Sequence, residues 1–552
     1  MANLDFKGKQ IIRNHHLTLK YHNLEPVKEK SLTDTISVND NLIIHGDNLL
    51  ALKALLPTYA GKIKCIYIDP PYNTGNENWK YNDNVNSPMM QEWLGKVVDR
   101  DDLTRHDKWL CMMMPRLKLL RDLLSEDGVL FVSIDDFEAH HLRMLLDEVF
   151  FPENFSNVFA WQSRTSKQND TDISINHEYV MAYAKSRRQA DRRLKPSNMI
   201  NWFNLKSFAY LPLPLDKSKF SNPDNDYRGD WKADPFDAPG VRKNLTYEIT
   251  NPNTGVKYLP PKGRHWGNEE PKFLELLKDG RIVFGKKGTS RPQSKEFYNE
   301  KRFFGEVDTS WWEGNERGTA TEGTKELQKI FNLKSVFEYP KPSRLIKSLL
   351  EIVSQGKNDI ILDSFAGSAT TAHAVLALNK EDGGNRKFIL VECEDYADSI
   401  TAERVRRVIK GVPSAKNESL KNGSGGTFSY FELGKPLEIT SILEGKDLPD
   451  YKELARYIFF TATGKQVDHM KINEKIHFIG ESSEYLVYLF YKSDLDYLKT
   501  TALTLDIAKS LGEYKGKKRL VFAPTKYMDA QQLLDYHIEF AQLPFEIYKL
   551  AK

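Results

Sequence analysis

Cysteine is scarce. Cys65, Cys111 and Cys393 are the whole complement, too few and too scattered for a disulfide framework or a zinc site. Each lies in an apolar run and is expected to be a buried thiol. No apolar stretch approaches the roughly 20 residues needed to span a bilayer. The first ten residues, MANLDFKGKQ, lack the hydrophobic centre of an export signal, so a cytoplasmic location is expected. An excess of one charge sign is missing too. The 79 Lys and Arg stand against 76 Asp and Glu, a net charge of +3, which does not by itself predict a nucleic-acid partner. There is no GxxxxGK[ST] loop for a nucleoside triphosphate, no nuclease metal motif and no internal repeat. The histidines of RNHHLTLKYH, residues 13–22, show no metal partners in sequence and read as surface or packing residues. No metal is expected.

What is present is a long chain of ordinary soluble composition: 552 residues, 40% hydrophobic and 28% charged. That length exceeds one hydrophobic core and predicts two to four domains. LIIHGDN at 42–48 reads as a strand and turn, and LLALKALLPTYA has helical apolar spacing. KIKCIYI at 62–68 is a short, β-branched, buried strand. A helix is predicted around Trp109–Leu124, then a strand in GVLFVSIDD at 128–136. Alternation of this kind predicts a parallel α/β sheet. From about Trp161 to Phe331 the chain turns rich in Pro, Gly, Asn, Trp and Tyr and loses helical periodicity, as an inserted domain would. The α/β pattern resumes with SRLIKSLLEIV at 343–353, DIILDSFAGSAT at 359–370 and KFILVECE at 387–394. Residues 411–426 read as a flexible linker, and a further small α/β domain follows.

Two strand ends carry the chemistry, DPPYN at 69–73 and DSFAGSAT at 363–370. In a doubly wound sheet, ligands bind outside the carboxyl ends of the strands, so both sites are expected on one edge. Gly367 and its small neighbours allow a tight turn close to a ligand. Asp363 ends one strand and Glu392 the next, where an acid can accept hydrogen bonds from ribose hydroxyls. Any strand-to-helix turn in an α/β fold would show much of this. In DPPYN, two prolines stiffen the backbone and hold the residue before them extended. Asp69 and the Pro70 carbonyl then form a rigid pair of acceptors beside the flat face of Tyr72. A flipped-out base stacked on that face could donate its amine hydrogens to them. Acceptors drawing on those hydrogens favour the pyramidal nitrogen that attack on an electrophile requires, with no metal needed. A proline-stiffened loop is the plainer reading of these residues taken alone.

Taken together, DPPY after one strand and FAGSAT after a later one resemble the DNA amino-methyltransferases, and the order with an inserted domain between resembles their beta class. HGDNLLALKAL, HEYVMAYAK, NPNTGVKYLPPKGRHW, RIVFGKKGTSRP, FEYPKPSRLIKSLL, LALNKEDGGNRKFILVE and RLVFAP are similar to segments of the Mod subunits of type III restriction–modification systems. The resemblance implies a Rossmann-like, circularly permuted fold dependent on S-adenosylmethionine, with an inserted target-recognition domain and a small C-terminal α/β domain. The implied boundaries are 1–156, 157–334, 335–410, a linker at 411–427, and 428–552. It implies transfer of methyl to adenine N6 of double-stranded DNA. Asp69, Pro70, Pro71 and Tyr72 would be catalytic. Asp363, Phe365, Ala366, Gly367 and Ser368 would form the cofactor turn, and Glu392 would bind the ribose. Lys341, Pro342 and Ser343 would cover the methionine end, with Asp47 near the cofactor. Ala369 stands where the family usually has a second glycine, harmless if that position is helical and costly if its φ is positive.

The same resemblance makes the basic run a set of phosphate contacts: Lys185, Arg187, Arg188, Arg192, Arg193 and Lys195. A solvated face is the reading without it. Trp161, Trp202 and Trp231 could stack on bases, but core positions are the simpler expectation. A homodimer and a separate Res subunit for cleavage and ATP hydrolysis are implied partners, with residues 428–552 holding one or the other. Cytosine N4, RNA, a solitary methylase or a silent DNA-binding subunit are the alternatives. Asp69, where cytosine enzymes more often carry Ser, favours adenine.

Overall fold

The computed structural model describes residues 4–73, 105–167, 172–187, 215–285, 287–301, 308–354, 356–413, 415, 418–436, 448–465, 467, 471–514 and 516–543. Two compact units emerge, Met1–Arg187 with Thr309–Lys552, and Arg188–Asp308. Among the described residues no helix is long and apolar enough to cross a membrane.

The larger unit is built on a ten-stranded sheet: β1 (His22–Pro26), β2 (Leu42–His45), β3 (Ile63–Ile68), β4 (Leu124–Ile134), β5 (Phe155–Trp161), β6 (Glu178–Ala184), β7 (Trp311–Trp312), β8 (Ile360–Asp363), β9 (Lys387–Glu392) and β10 (Ser429–Pro436). Their order across the sheet is β1-β10-β2-β9-β8-β3-β4-β6-β5-β7. From β10 to β4 every neighbouring pair is parallel, while β6 runs antiparallel to both β4 and β5. The late strands β8 and β9 thus sit between the early strands β2 and β3. A chain cut and rejoined relative to a simple doubly wound sheet has this permuted order.

Helices α1 (Asn48–Tyr59), α2 (Arg105–Leu123) and α3 (Ala139–Phe150) cover one face. There Leu42, Ile44, Ile66, Ile68, Leu130, Val132 and Leu362 share a core with them. The alternate residues Ile43, Cys65, Tyr67, Phe131 and Ile361 are buried as well, on the face where α5 (Ser343–Val353) and α6 (Thr370–Asp382) pack against β3 and β9. Burial on both faces explains why these strands read as unbroken apolar runs rather than alternating ones. Between β7 and β8, α4 (Ala320–Phe331) packs on α7 (Glu403–Lys410).

The stretch from about Trp161 to Phe331 reads as irregular, yet β6 within it joins the large sheet between β4 and β5. The compact unit is the narrower stretch Arg188–Asp308. It has a small apolar core of Phe236, Ile249, Trp266, Phe273, Ile282 and Phe284. A buried ion network supports it: Lys295 Nζ lies 2.8 Å from Asp226 and 2.5 Å from Asp224, and Arg228 pairs with Asp226 at 2.8 Å. The Arg228 guanidinium holds the Asp226 carboxyl well below the usual range.

Residues 411–426 are not a free tether over their described part. Ser424 N donates to Val408 O at 2.9 Å and Gly425 N to Ile409 O at 3.1 Å, folding the segment back onto α7. Beyond it, β10 joins the large sheet. A four-stranded sheet follows, β11 (Phe478–Glu481), β12 (Tyr485–Leu489), β13 (Lys518–Ala523) and β14 (Ile538–Gln542), ordered as in the chain. Its core includes Val487, Leu489 and Tyr491 together with Tyr21 and with Ala54 of α1. The apolar segment EYLVYLFY is therefore core. Of the histidines near the N-terminus, His15 and His16 are buried packing residues.

Candidate active site

The carboxyl ends of β2, β9, β8 and β3 lie side by side, and Asp47, Glu392, Asp363 and Asp69 stand at or just beyond them. Asp69 and Asp363 are nearly 300 positions apart in sequence but end adjacent strands.

Asp363 is 3% exposed. Its carboxylate accepts from Phe365 N at 3.1 Å and Thr371 Oγ at 2.5 Å. It therefore pins the turn leaving β8 to the first turn of α6. Burial pushes this carboxyl up to about 7, with Asp69 and Glu392 adding to the rise. Glu392 is 1% exposed. Its carboxylate accepts from the backbone N–H groups of Gly367 at 2.6 Å, Cys393 at 2.9 Å and Glu394 at 3.1 Å. Burial raises it to about 7 as well, against those three donors. Glu392 thus buttresses the Gly367 turn from behind.

In that turn Ala366 N donates to Val391 O at 3.1 Å, tying it to β9. Gly367 has φ +49°, and a Cβ there would stand 3.2 Å from the Phe337 ring. Phe365, Ala366 and Ser368 are buried beside it. The Ser368 carbonyl and hydroxyl accept from Arg404 Nη1 at 3.2 and 3.1 Å. Arg404 is fully buried and pairs with Glu326 of α4 at 3.2 Å. Ser343 gives both its N–H and its hydroxyl to Glu326, while Pro342 is buried at the start of α5. His373 lies against the same pair, and burial lowers it to about 4. Asp47 caps α1, accepting from Leu49 N at 2.8 Å and Leu50 N at 3.1 Å.

Ala369, fully buried, adopts φ +63° and ψ +37°. The left-handed conformation costs a non-glycine residue about 1–2 kcal/mol. Glycine would relieve this but would lose a buried methyl, worth about 0.8 kcal/mol, and would add unfolded-chain entropy, about 0.4–1 kcal/mol. Ala369→Gly is therefore expected to change stability by less than about 1 kcal/mol. Ala369→Val adds overpacking at the same φ and is expected to cost about 2–4 kcal/mol. Denaturant unfolding checks both values, and a neutral valine would show that the turn is not strained.

At the end of β3 the Asp69 carboxylate accepts from Lys341 Nζ at 2.8 and 3.0 Å. The same ammonium lies 3.5 Å from Glu178 and 4.9 Å from the centre of the Tyr72 ring. Burial alone would lower Lys341, but the Asp69 and Glu178 carboxylates outweigh it and hold the ammonium above its ordinary value. Tyr72 OH donates to Glu178 at 3.0 Å, and burial beside Asp69 and Glu178 keeps the phenol protonated. Pro70 is buried, and the Pro71 carbonyl accepts from Trp109 Nε1 at 2.7 Å.

The structure thus brings the two motifs to one edge. It also brings in residues with no role read from sequence: Glu178, Trp109, Glu326 and Arg404. Glu178 reaches the edge because β6 runs antiparallel, which places the start of that strand beside the ends of the others. Lys341 lies on Asp69. Of the basic run, Lys185 donates to Leu124 O at 2.8 Å and Arg187 to Phe155 O. Arg188, Arg192, Arg193 and Lys195 lie outside the described residues, as does Trp202. Trp161 is fully buried and Trp231 donates to Asp224. Cys65 and Cys111 are buried, but Cys393, just past the end of β9, is only half-buried. Among the described residues, His106, Glu138 and His141 bring potential metal-ligating atoms within 4.8 Å of one another.

A family model described as DNA methylase matches residues 63–403. The StyLTI Mod subunit of a type III restriction–modification enzyme from Salmonella typhimurium is 31% identical over 79% of this chain and 67% of its own. The type II methyltransferase M.KpnI of Klebsiella pneumoniae is 32% identical over 67% of this chain and 84% of its own. The chain spans 57–67% of the length of the type III Mod relatives it matches. The solved PvuII cytosine-N4-specific DNA methyltransferase aligns over 67% of this chain and 87% of its own at 11% identity with a TM-score of 0.33, too low to bear on the fold.

Proposed function

We propose that this chain, which belongs to the DNA methylase family, moves a methyl group from S-adenosylmethionine to N6 of a flipped-out adenine, as the modification subunit of a type III restriction–modification system. One observation carries the chemistry. The Asp69 carboxylate already holds a nitrogen donor, Lys341 Nζ, over the Tyr72 ring. A base stacked on Tyr72 would present its amine to the same acceptor, with Lys341 ceding its place. The fit of the cofactor rests on the neighbouring turn, where Gly367 has a positive φ and a Cβ would crowd Phe337 at 3.2 Å and acids end both flanking strands. Phe365, Ala366, Gly367 and Ser368 would hold it, with Asp363 and Glu392 bracing the turn and Asp47 at its border.

When bound, the cofactor supplies an electrophilic methyl on a sulfonium. Asp69 accepts from the amine and favours the nitrogen geometry that attack requires. It is also the group in place to take the proton that the amine gives up. Tyr72 supplies the stacking face, worth about 1–3 kcal/mol per base, and its hydroxyl is tied back by Glu178. Adenine rather than cytosine follows from an Asp at the head of the motif. The unit Arg188–Asp308, with the basic run that spans its start, is assigned to reading double-stranded DNA. A second copy of the chain and a Res subunit are the proposed partners, with the C-terminal region holding one or the other. A base-resolved methylation map of DNA from expressing cells is the test. N6-methyladenine at one short, asymmetric sequence is expected, and N4-methylcytosine or unmodified DNA would overturn the assignment.

A further inference from the structure

We propose that Glu138 is a positioning residue for the Tyr72 platform, acting through Asn73; this rests on the amine-transfer reading above. Glu138 stands at the start of α3 and is fully buried. A carboxylate taken out of water needs donors on both oxygens. Oε1 accepts from Asn73 Nδ2 and from His106 Nδ1 at 2.7 Å, and Oε2 from His141 Nδ1 at 2.8 Å. Asn73 is 3% exposed and left-handed, with φ +56°. Asparagine is one of the few non-glycine residues that adopt this conformation readily. The Asn73 amide also reaches the Arg105 carbonyl at 3.3 Å. Three residues along α2 from His106, Trp109 holds the Pro71 carbonyl. Tyr72 is therefore tethered on both sides, at Pro71 and at Asn73. Both tethers run to the N-terminal part of α2, between Arg105 and Trp109, and the second also runs to the start of α3. Two prolines precede the ring, so its direction depends on these anchors.

The same three residues could instead ligate a divalent transition ion. Ligands bound near 2.1 Å to a tetrahedral ion stand about 3.4 Å apart, whereas the histidine nitrogens lie 2.7 and 2.8 Å from the carboxylate. Oε1 is also shared with an amide donor. Both facts favour a hydrogen-bonded clamp.

The test uses full-length protein with Glu138→Ala, Glu138→Gln and Asn73→Ala. Single-turnover methyl transfer, cofactor affinity, metal content and the fluorescence of 2-aminopurine at the target position are measured. A misplacement of about 1 Å costs on the order of 100-fold in rate. Glu138→Ala and Asn73→Ala are expected to slow transfer about 10- to 100-fold and to reduce the 2-aminopurine signal, with cofactor affinity within about threefold of wild type. Glu138→Gln, which keeps an acceptor for Asn73, is expected to recover part of the rate. Should Glu138→Ala fail to fold, Asn73→Ala carries the test, since it leaves the carboxylate and both histidines paired. Transfer at the wild-type rate in Asn73→Ala or in folded Glu138→Ala overturns the clamp. So does a stoichiometric metal in wild type that Glu138→Ala loses. A wild-type protein that leaves adenine unmethylated overturns the amine-transfer reading itself.

Discussion

Asp69→Ala is expected to slow methyl transfer about 100- to 1000-fold or more and to leave cofactor affinity close to wild type. The magnitude follows from removing a preorganised group aimed at developing charge. Asp69 accepts at the proposed base position, whereas the proposed cofactor turn is braced by Asp363 and Glu392. The alanine also strands Lys341, a buried ammonium left with Glu178 alone, and breaking such a pair costs about 3–5 kcal/mol. Asp69→Asn keeps the shape and one acceptor oxygen. It is expected to fold with a smaller loss of stability and still to lose most of its rate. Tritiated methyl incorporation, calorimetry with the cofactor and thermal unfolding separate these effects. Near wild-type turnover in a folded Asp69 variant would remove Asp69 from the chemistry.

Gly367→Val is expected to weaken S-adenosylmethionine binding about 100-fold or more. The residue has φ +49°, and its ideal Cβ lies 3.2 Å from the Phe337 ring. A β-branched side chain adds about 1–2 kcal/mol of backbone strain and about 1–3 kcal/mol of overpacking. It also pulls at the 2.6 Å bond from Gly367 N to Glu392, so the turn and its brace move together. Gly367→Ala should lie between. Calorimetry on folded protein decides, and unchanged affinity in the valine variant would place the cofactor elsewhere.

Local pattern made the scaffold legible. KIKCIYI, GVLFVSIDD and KFILVECE are apolar because both faces of a parallel sheet are covered, and each forms a strand. SRLIKSLLEIV repeats its apolar residues at helical spacing and forms α5. The two motifs were legible because prolines and a glycine constrain the backbone whatever surrounds them. The insertion was harder to delimit. HEYVMAYAK falls inside the stretch that reads as an insertion, and nothing local says that it pairs with GVLFVSIDD in antiparallel register. Residues 411–426 look like a linker because Gly, Ser and Asn are tolerant. Whether such residues pack back on a helix depends on what the helix offers.

The sequence by itself determined the α/β class and the place of the two motifs at strand ends, because these rest on periodicity and on residues with fixed backbone demands. Only the tertiary structure decided which groups those ends meet. Lys341 comes to Asp69 because β8 and β9 are threaded between β2 and β3, and Glu178 arrives because β6 runs against its neighbours. Ala369 takes a left-handed turn because Asp363 and Arg404 pin either side of it, and the Glu138 carboxylate draws its donors from three separate segments. Burial, charge pairing and strand direction are properties of the whole sheet, and no window of sequence contains them.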